Sequence, residues 1–145
     1  MTKVFIGGSS RVSRLDEKIK SRLDEIIRKQ LPVVIGDANG ADKAVQDYFH
    51  QRAYEQVEVF CMEGHCRNNA GNWRIRSVPP PNGRKSDFEY YAAKDRLMAE
   101  EGSFGFMLWD GKSRETFENI LRLAEEGKEV IVYLASTKEF RTVGK

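Results

Sequence analysis

Apolar residues along the chain fall into two alternating periods. Lys3-Val4-Phe5-Ile6, closed by Gly7-Gly8, reads as a short buried strand. Leu15, Ile19, Leu23, Ile26 and Ile27 then share one helical face, with Ser13 three residues before Asp16 as the expected capping box and Pro32 as the stop. Val33-Val34-Ile35 makes a second strand, Ala41, Ala44, Val45, Tyr48 and Phe49 mark a second helix, and Val57 to Cys61 forms a third strand. From Glu63 to Lys85 neither period can be counted, and the segment carries three glycines, four asparagines and Pro79-Pro80-Pro81, so a long irregular loop is expected there. Order resumes where Ser86, with Glu89 at the box position, caps a helix running to Glu101. A strand over Phe104 to Trp109, a helix from Ser113 to Glu126 stopped by Gly127, and a strand over Val130 to Leu134 complete the pattern. The polar residues from Ala135 onward are expected to fray or pack on an edge. The order β-α-β-α-β-loop-α-β-α-β predicts an α/β fold with a mostly parallel five-stranded sheet covered on both faces.

Composition narrows the class. A chain of 145 residues is within the range of one domain, and the whole of 1–145 is read as such. Charged residues make up 32% against 40% hydrophobic, no apolar run approaches a membrane span, and Met1 leads straight into a strand-like segment, so a cytoplasmic protein with no membrane partner is expected. The net charge of +2 from 24 basic and 22 acidic residues is too balanced to argue for nucleic acid, which is not expected as a partner. Between Cys66 and Ser86, however, Arg67, Arg74, Arg76, Arg84 and Lys85 occur with no acidic residue, an excess suited to an anion or to a solvated loop. Cys61, Cys66, His50 and His65 lack zinc-site spacing, so no metal is expected; Cys61 reads as the hydrophobic end of a strand, and a disulfide is disfavoured in a cytosolic chain. No cofactor is expected.

In parallel sheets, ligands bind beyond the carboxyl ends of the strands. Three loops stand out there: Gly7-Gly8-Ser9-Ser10-Arg11, Gly36 to Asp42, and Asp110-Gly111-Lys112-Ser113-Arg114-Glu115-Thr116. Each joins glycine to hydroxyl or amide side chains at the start of a helix, where free N–H groups and the helix dipole favour anions. The glycines, serines and asparagine serve turn geometry and capping equally well, and neither Gly-x-Gly-x-x-Gly nor a P-loop occurs. Coincidence in three loops favours a nucleotide-like ligand. Phosphate is assigned to Gly7, Gly8, Ser9 and Ser10, or to Gly111, Lys112, Ser113 and Thr116; Asp37, Asn39 and Asp42 serve as turn-formers or hydroxyl acceptors.

Two further features bear on chemistry. Phe88, Tyr91, Ala92, Asp95, Met98 and Ala99 share one helical face, so the Asp95 carboxylate lies in the stripe that meets the sheet and must find a partner or reach the cleft. In the irregular segment, Trp73 with Arg67, Arg74 and Arg76 could serve as a lid that stacks on a base and meets phosphate; an anchor of the loop or a dimer contact is the structural alternative for Trp73.

Gly36-Asp37-Ala38-Asn39-Gly40-Ala41-Asp42 followed by Ala44 resembles the "GGARGAD..A" turn of the SLOG superfamily, which includes LOG cytokinin-activating enzymes, DprA-type proteins and YspA-like proteins. The likeness extends to Phe5 through Arg11, to Lys94-Asp95-Arg96-Leu97-Met98 where relatives show "RN..M" or "RK..M", and to Asp110 through Thr116 where they show "GG.GT". It implies a Rossmann-like three-layer α/β/α fold, binding of a nucleotide or nucleotide-derived molecule, and a homodimer. LOG-type members release a base from a nucleoside monophosphate with an arginine and a glutamate. Here Lys94 stands at the arginine position and Asn119 at the glutamate position; an amide is neither nucleophile nor base, and lysine lacks the arginine fork. Hydrolysis would need Asp95, Glu115 or Glu118 instead.

Three readings follow. The first is a sensor or sequestering domain for a nucleotide-derived small molecule. The second is a nucleotide N-glycosidase, phosphoribohydrolase or nucleoside transferase. The third is a protein-interaction scaffold with a vestigial cleft.

Overall fold

A computed structural model describes residues 2–83 and 86–144. Arg84 and Lys85, part of the basic run noted above, lie outside the described residues. The elements are β1 (Val4–Gly8), α1 (Glu17–Arg28), β2 (Val33–Ile35), α2 (Ala41–Gln51), β3 (Val57–Met62), β4 (Arg74–Val78), α3 (Asp87–Glu101), β5 (Phe104–Trp109), α4 (Arg114–Glu125), β6 (Val130–Leu134) and β7 (Glu139–Val143).

The strands form one sheet in the order β4-β3-β2-β1-β5-β6-β7, parallel throughout except for the antiparallel β6–β7 pair. Strand order runs outward from β1 through β2, β3 and β4, then returns across α3 to β5 on the other side of β1. The reversal between β1 and β5 is the switch point at which such sheets open a crevice. Alternate strand residues divide between two cores. Val4, Ile6, Val59 and Leu108 pack with Ile19 and Leu23 of α1 and Val45 and Phe49 of α2. Phe5, Val34, Phe60 and Met107 pack with Met98 and Ala99 of α3 and Ile120 and Leu123 of α4. The architecture is Rossmann-like α/β, with helices on both faces.

The sheet has seven strands rather than five. One extra strand, β4, lies inside the segment read as an irregular loop; Arg74-Ile75-Arg76-Ser77-Val78 buries only Val78, so as an edge strand it shows too little apolar alternation to be counted. The other, β7, comes from the polar tail and pairs Leu134 with Glu139 through Val130 with Val143. The first helix also begins later than predicted: Asp16, not Ser13, is its cap, its carboxylate accepting from the Ile19 amide at 3.0 Å. At α3 the cap is as expected, with Ser86 Oγ accepting from the Glu89 amide.

Cys61 and Cys66 are joined as a disulfide, which corrects the expectation of unpaired cysteines. Their Cα atoms stand 5.0 Å apart because a tight turn, His65 N–H to Met62 carbonyl, folds the chain back at the end of β3. Among the described residues no helix is long and apolar enough to cross a membrane.

Candidate functional site

A cleft of about 280 Å³ opens at the carboxyl ends of β1, β2 and β5, between α2, α3 and α4. Its walls hold Gly7, Gly8, Ser9 and Ser10 from the first loop and Gly36 and Asp42 from the second. Lys94 and Asp95 enter from α3, and Ser113, Glu115, Thr116 and Asn119 from α4. Phe5, Ala38, Arg67, Tyr91 and Met98 complete it.

Close approach of backbones builds this edge. A Cβ on Gly8 would run into the Leu108 carbonyl and sit 2.7 Å from Ala41 Cβ, so glycine lets β1, β5 and the start of α2 converge. Gly40 has φ of 84° and abuts the Ser10 backbone, which is how the second loop meets the first. The Ala41 amide then donates to the Ser9 carbonyl at 3.2 Å. At Gly36 a Cβ would lie 2.8 Å from Asp42 Oδ2 and 3.2 Å from Lys94 Nζ; its absence leaves room for a charged cluster.

That cluster forms the floor. Lys94 Nζ contacts Asp95 Oδ1 at 3.2 Å, with both side chains nearly covered. Burial alone would pull the Lys94 ammonium down, but Asp95, Asp42 and Asp37 outweigh it and hold the pKa above its ordinary value. Asp42, which accepts from the Ala38 amide at 3.1 Å, is pushed up to about 7 by burial, with Lys94 and the Ala38 amide opposing the rise. The floor thus carries an ammonium, at least one carboxylate and a carboxyl that titrates near neutrality.

Asp37 is buried beneath the second loop and accepts from Arg67 twice, from the backbone amide at 2.9 Å and from the guanidinium at 2.7 Å. Asn39 is exposed; its side-chain carbonyl accepts from Asn68 Nδ2 at 3.0 Å. These two residues shape the loop and hold the segment after β3, while Arg67 lays its guanidinium 4.2 Å from the centre of the Tyr91 ring.

At the third loop Asp110 is itself the anion at the start of α4. Its carboxylate accepts from the Lys112 and Ser113 amides at 2.8 Å each and from Ser9 Oγ at 3.2 Å. Partial burial raises the Asp110 carboxyl, but these donors together lower it below its ordinary value. Ser9, Ser113 and Thr116 join in a hydroxyl network, Ser9 to Ser113 at 2.7 Å and Ser113 to Thr116 at 3.0 Å. The amides of Lys112 and Ser113 are therefore occupied, whereas those of Arg114, Glu115 and Thr116 have no partner among the described residues. Gly111 and Lys112 are exposed at the rim, and Arg11 faces the neighbouring hollow beside Asp110.

The two positions that depart from the LOG pattern both reach the cleft. Lys94 is engaged with carboxylates, and the Asn119 side-chain carbonyl accepts from Arg122 at 2.7 Å. Glu115 lines the wall, but Glu118 is not part of it. Of the four residues read as a lid, only Arg67 reaches the cleft. Trp73 is 7% exposed and donates its indole N–H to the Tyr54 carbonyl at 2.8 Å, so it anchors the segment in the core. The register Glu58 to Arg74 sets Arg74 and Arg76 toward the amino ends of the strands, where Arg74 pairs with Glu58 and Arg76 with Glu101. Sequence reasoning missed Arg114, whose guanidinium lies 3.8 Å from the centre of the Phe88 ring and joins the first turns of α4 and α3, outside the residues that line the cleft. Spacing cannot find such a pair, since the two residues belong to different helices. Among the described residues no cluster of three or more His, Cys, Asp or Glu side chains is placed to hold a metal ion.

No family model matches the chain, and no curated protein sequence matches it. Among solved structures it is similar to DNA processing protein A from Helicobacter pylori, described for its single-stranded DNA binding mode, with a TM-score of 0.66 at 17% identity over 90% of this chain. The chain spans 64% of the length of that protein. The likeness supports a DprA-related fold. It also corrects two expectations. A nucleotide-derived small molecule, with its glycosidase and scaffold alternatives, gives way as the functional reading, because the solved protein of this fold is described with single-stranded DNA. Setting nucleic acid aside fails for the same reason. Balanced net charge describes the whole chain and says nothing of the charge on any one edge. The chain joins a Rossmann-like α/β sheet of the DprA-related kind to a glycine-built cleft at its switch point.

Proposed function

We propose that residues 1–145 are a single SLOG-like domain whose carboxyl-edge cleft binds single-stranded nucleic acid. The observation that carries this reading is a pair of arginine–aromatic contacts on α3, Arg67 over Tyr91 in the cleft wall and Arg114 over Phe88 between the first turns of α3 and α4. Single-strand sites combine cations that follow the backbone with ring faces on which bases stack; here Arg67 from the segment after β3 and Arg114 of α4 each lie over an aromatic ring of α3. A further aromatic pair, Trp109 at the end of β5 and Phe117 of α4, stacks with ring centres 5.6 Å apart and leaves Phe117 exposed. The unpartnered amides of Arg114, Glu115 and Thr116 with the Ser9 and Ser113 hydroxyls suit a phosphodiester oxygen. The fold likeness to a protein described with single-stranded DNA supports the same reading.

Fluorescence anisotropy with a labelled single-stranded oligonucleotide tests it. Binding should weaken with salt with a slope of roughly −1.4, as for two neutralised phosphates. Arg114→Ala and Phe88→Ala should each weaken it by about 1 kcal/mol or more. Equal affinity for single- and double-stranded oligonucleotides, or binding unaffected by both substitutions, would overturn the assignment.

A further inference from the structure

Among the described residues, the segment after β3 reaches the cleft through Arg67, which directly follows Cys66. Cys61 is fully buried at the end of β3, Cys66 is partly exposed, and the bond between them closes a turn of four intervening residues. Immediately beyond it the Arg67 amide and guanidinium both bond Asp37, the Asn68 side chain donates to the Asp37 carbonyl at 2.8 Å, and the Ala70 amide donates to Gln46 Oε1 at 2.9 Å. Asp37 lies within the glycine loop at the head of α2. One covalent bond and a short run of hydrogen bonds therefore hold Arg67 against Tyr91 at the cleft wall.

We propose that the Cys61–Cys66 bond is a reversible redox latch that sets the position of Arg67 and, through it, the affinity of the cleft for its strand. The effect on affinity rests on the nucleic-acid reading above; the latch itself does not. A dithiol reductant opens it by exchange. A thiolate of the reductant attacks the sulfur of Cys66, the less buried of the two residues, and the Cys61 sulfur leaves with the bonding pair and takes a proton. The second thiol of the reductant then displaces Cys66, which also ends as a thiol, and the reductant departs as a cyclic disulfide. Two electrons and two protons pass to the protein. Arg67 is then held without a covalent tie on its amino side, by its own bonds to Asp37, its contact with Tyr91 and the hydrogen bonds of Asn68 and Ala70, between Gly64 and Gly71.

The experiment compares oxidised protein with protein held in dithiothreitol, using amide hydrogen exchange at Arg67 and Ala70 and oligonucleotide binding by anisotropy. Exchange at both amides should rise about tenfold on reduction, and the Kd for a single-stranded oligonucleotide should rise severalfold. Cys66→Ser, at the partly exposed position, should match reduced protein under both conditions. Unchanged exchange on reduction would overturn the latch. Faster exchange with unchanged affinity would overturn its control of the cleft. Faster exchange in a protein that binds no oligonucleotide in either state would sustain the latch and sink the nucleic-acid reading.

Discussion

Lys94 Nζ lies 3.2 Å from Asp95 Oδ1, and these adjacent residues of α3 are both buried, at 5% and 7% exposure. Neighbours one residue apart do not normally share a helix face. Here the long lysine side chain reaches across the head of the cleft to Asp42 and Asp95, and glycine at position 36 makes room for it.

Removing the cation should be costly. Lys94→Met leaves the carboxylates of the floor without their counter-charge and should lower stability by about 3–5 kcal/mol. Lys94→Met combined with Asp95→Asn should cost less than the single change, since one uncompensated charge goes with it. Urea denaturation of the single and double variants measures the difference.

Asp42 makes stability depend on pH in a stated direction. Its carboxyl is raised by burial from 3.8 to about 7 in the folded protein, so between those values the folded state holds a proton that the unfolded state has released. The contribution is therefore fully present below the unfolded pKa and is lost as pH rises through about 7. Carboxylates lowered by hydrogen bonds, such as Asp110 and Glu101, act in the opposite sense. The informative quantity is the difference between the parent and Asp42→Asn, followed by denaturant unfolding at intervals across this range. The parent should lose stability relative to the variant as pH rises.

Gly40→Ala places a side chain where φ is 84° and where Cβ would meet the Ser10 backbone. Both the strain and the clash act against the junction of the first two loops, so the variant should lose several kcal/mol or fail to fold. Gly83→Ala, also at positive φ but with open space around it, should cost about 1 kcal/mol. Thermal unfolding followed by circular dichroism separates the two.

Trp73 distinguishes an anchor from a lid. Trp73→Ala removes a buried ring whose indole N–H bonds the Tyr54 carbonyl and whose face packs against Gly71. A loss of about 3–5 kcal/mol in stability is expected. Trp73→Phe, which keeps most of the ring volume, should restore much of the stability and leave oligonucleotide affinity unchanged. A large affinity loss in a well-folded Trp73→Phe variant would return Trp73 to the cleft.

Much of the architecture was legible because burial imposes periods on a sequence. Val4, Phe5 and Ile6 alternate between two cores, and Ile19, Leu23 and Ile26 repeat at helical spacing, so five strands and four helices could be read directly. The Asp95 carboxylate was also visible as a charge within an apolar stripe. Strand β4 was not, because an edge strand that buries only Val78 leaves little alternation to read, and β7 was hidden in a polar tail.

The sequence alone determined the αβ alternation, the glycine loops and their place at the carboxyl edge, since these depend on local conformation and on the period of burial. Tertiary structure alone decided which side chains meet. Lys94 turned toward Asp42 and Asp95, Asp110 took the amides of Lys112 and Ser113, Trp73 went into the core, and Arg114 came to rest on Phe88. Those outcomes depend on distances between elements far apart in the chain. Periodicity assigns a residue to a face, but only packing sets which neighbour that face meets.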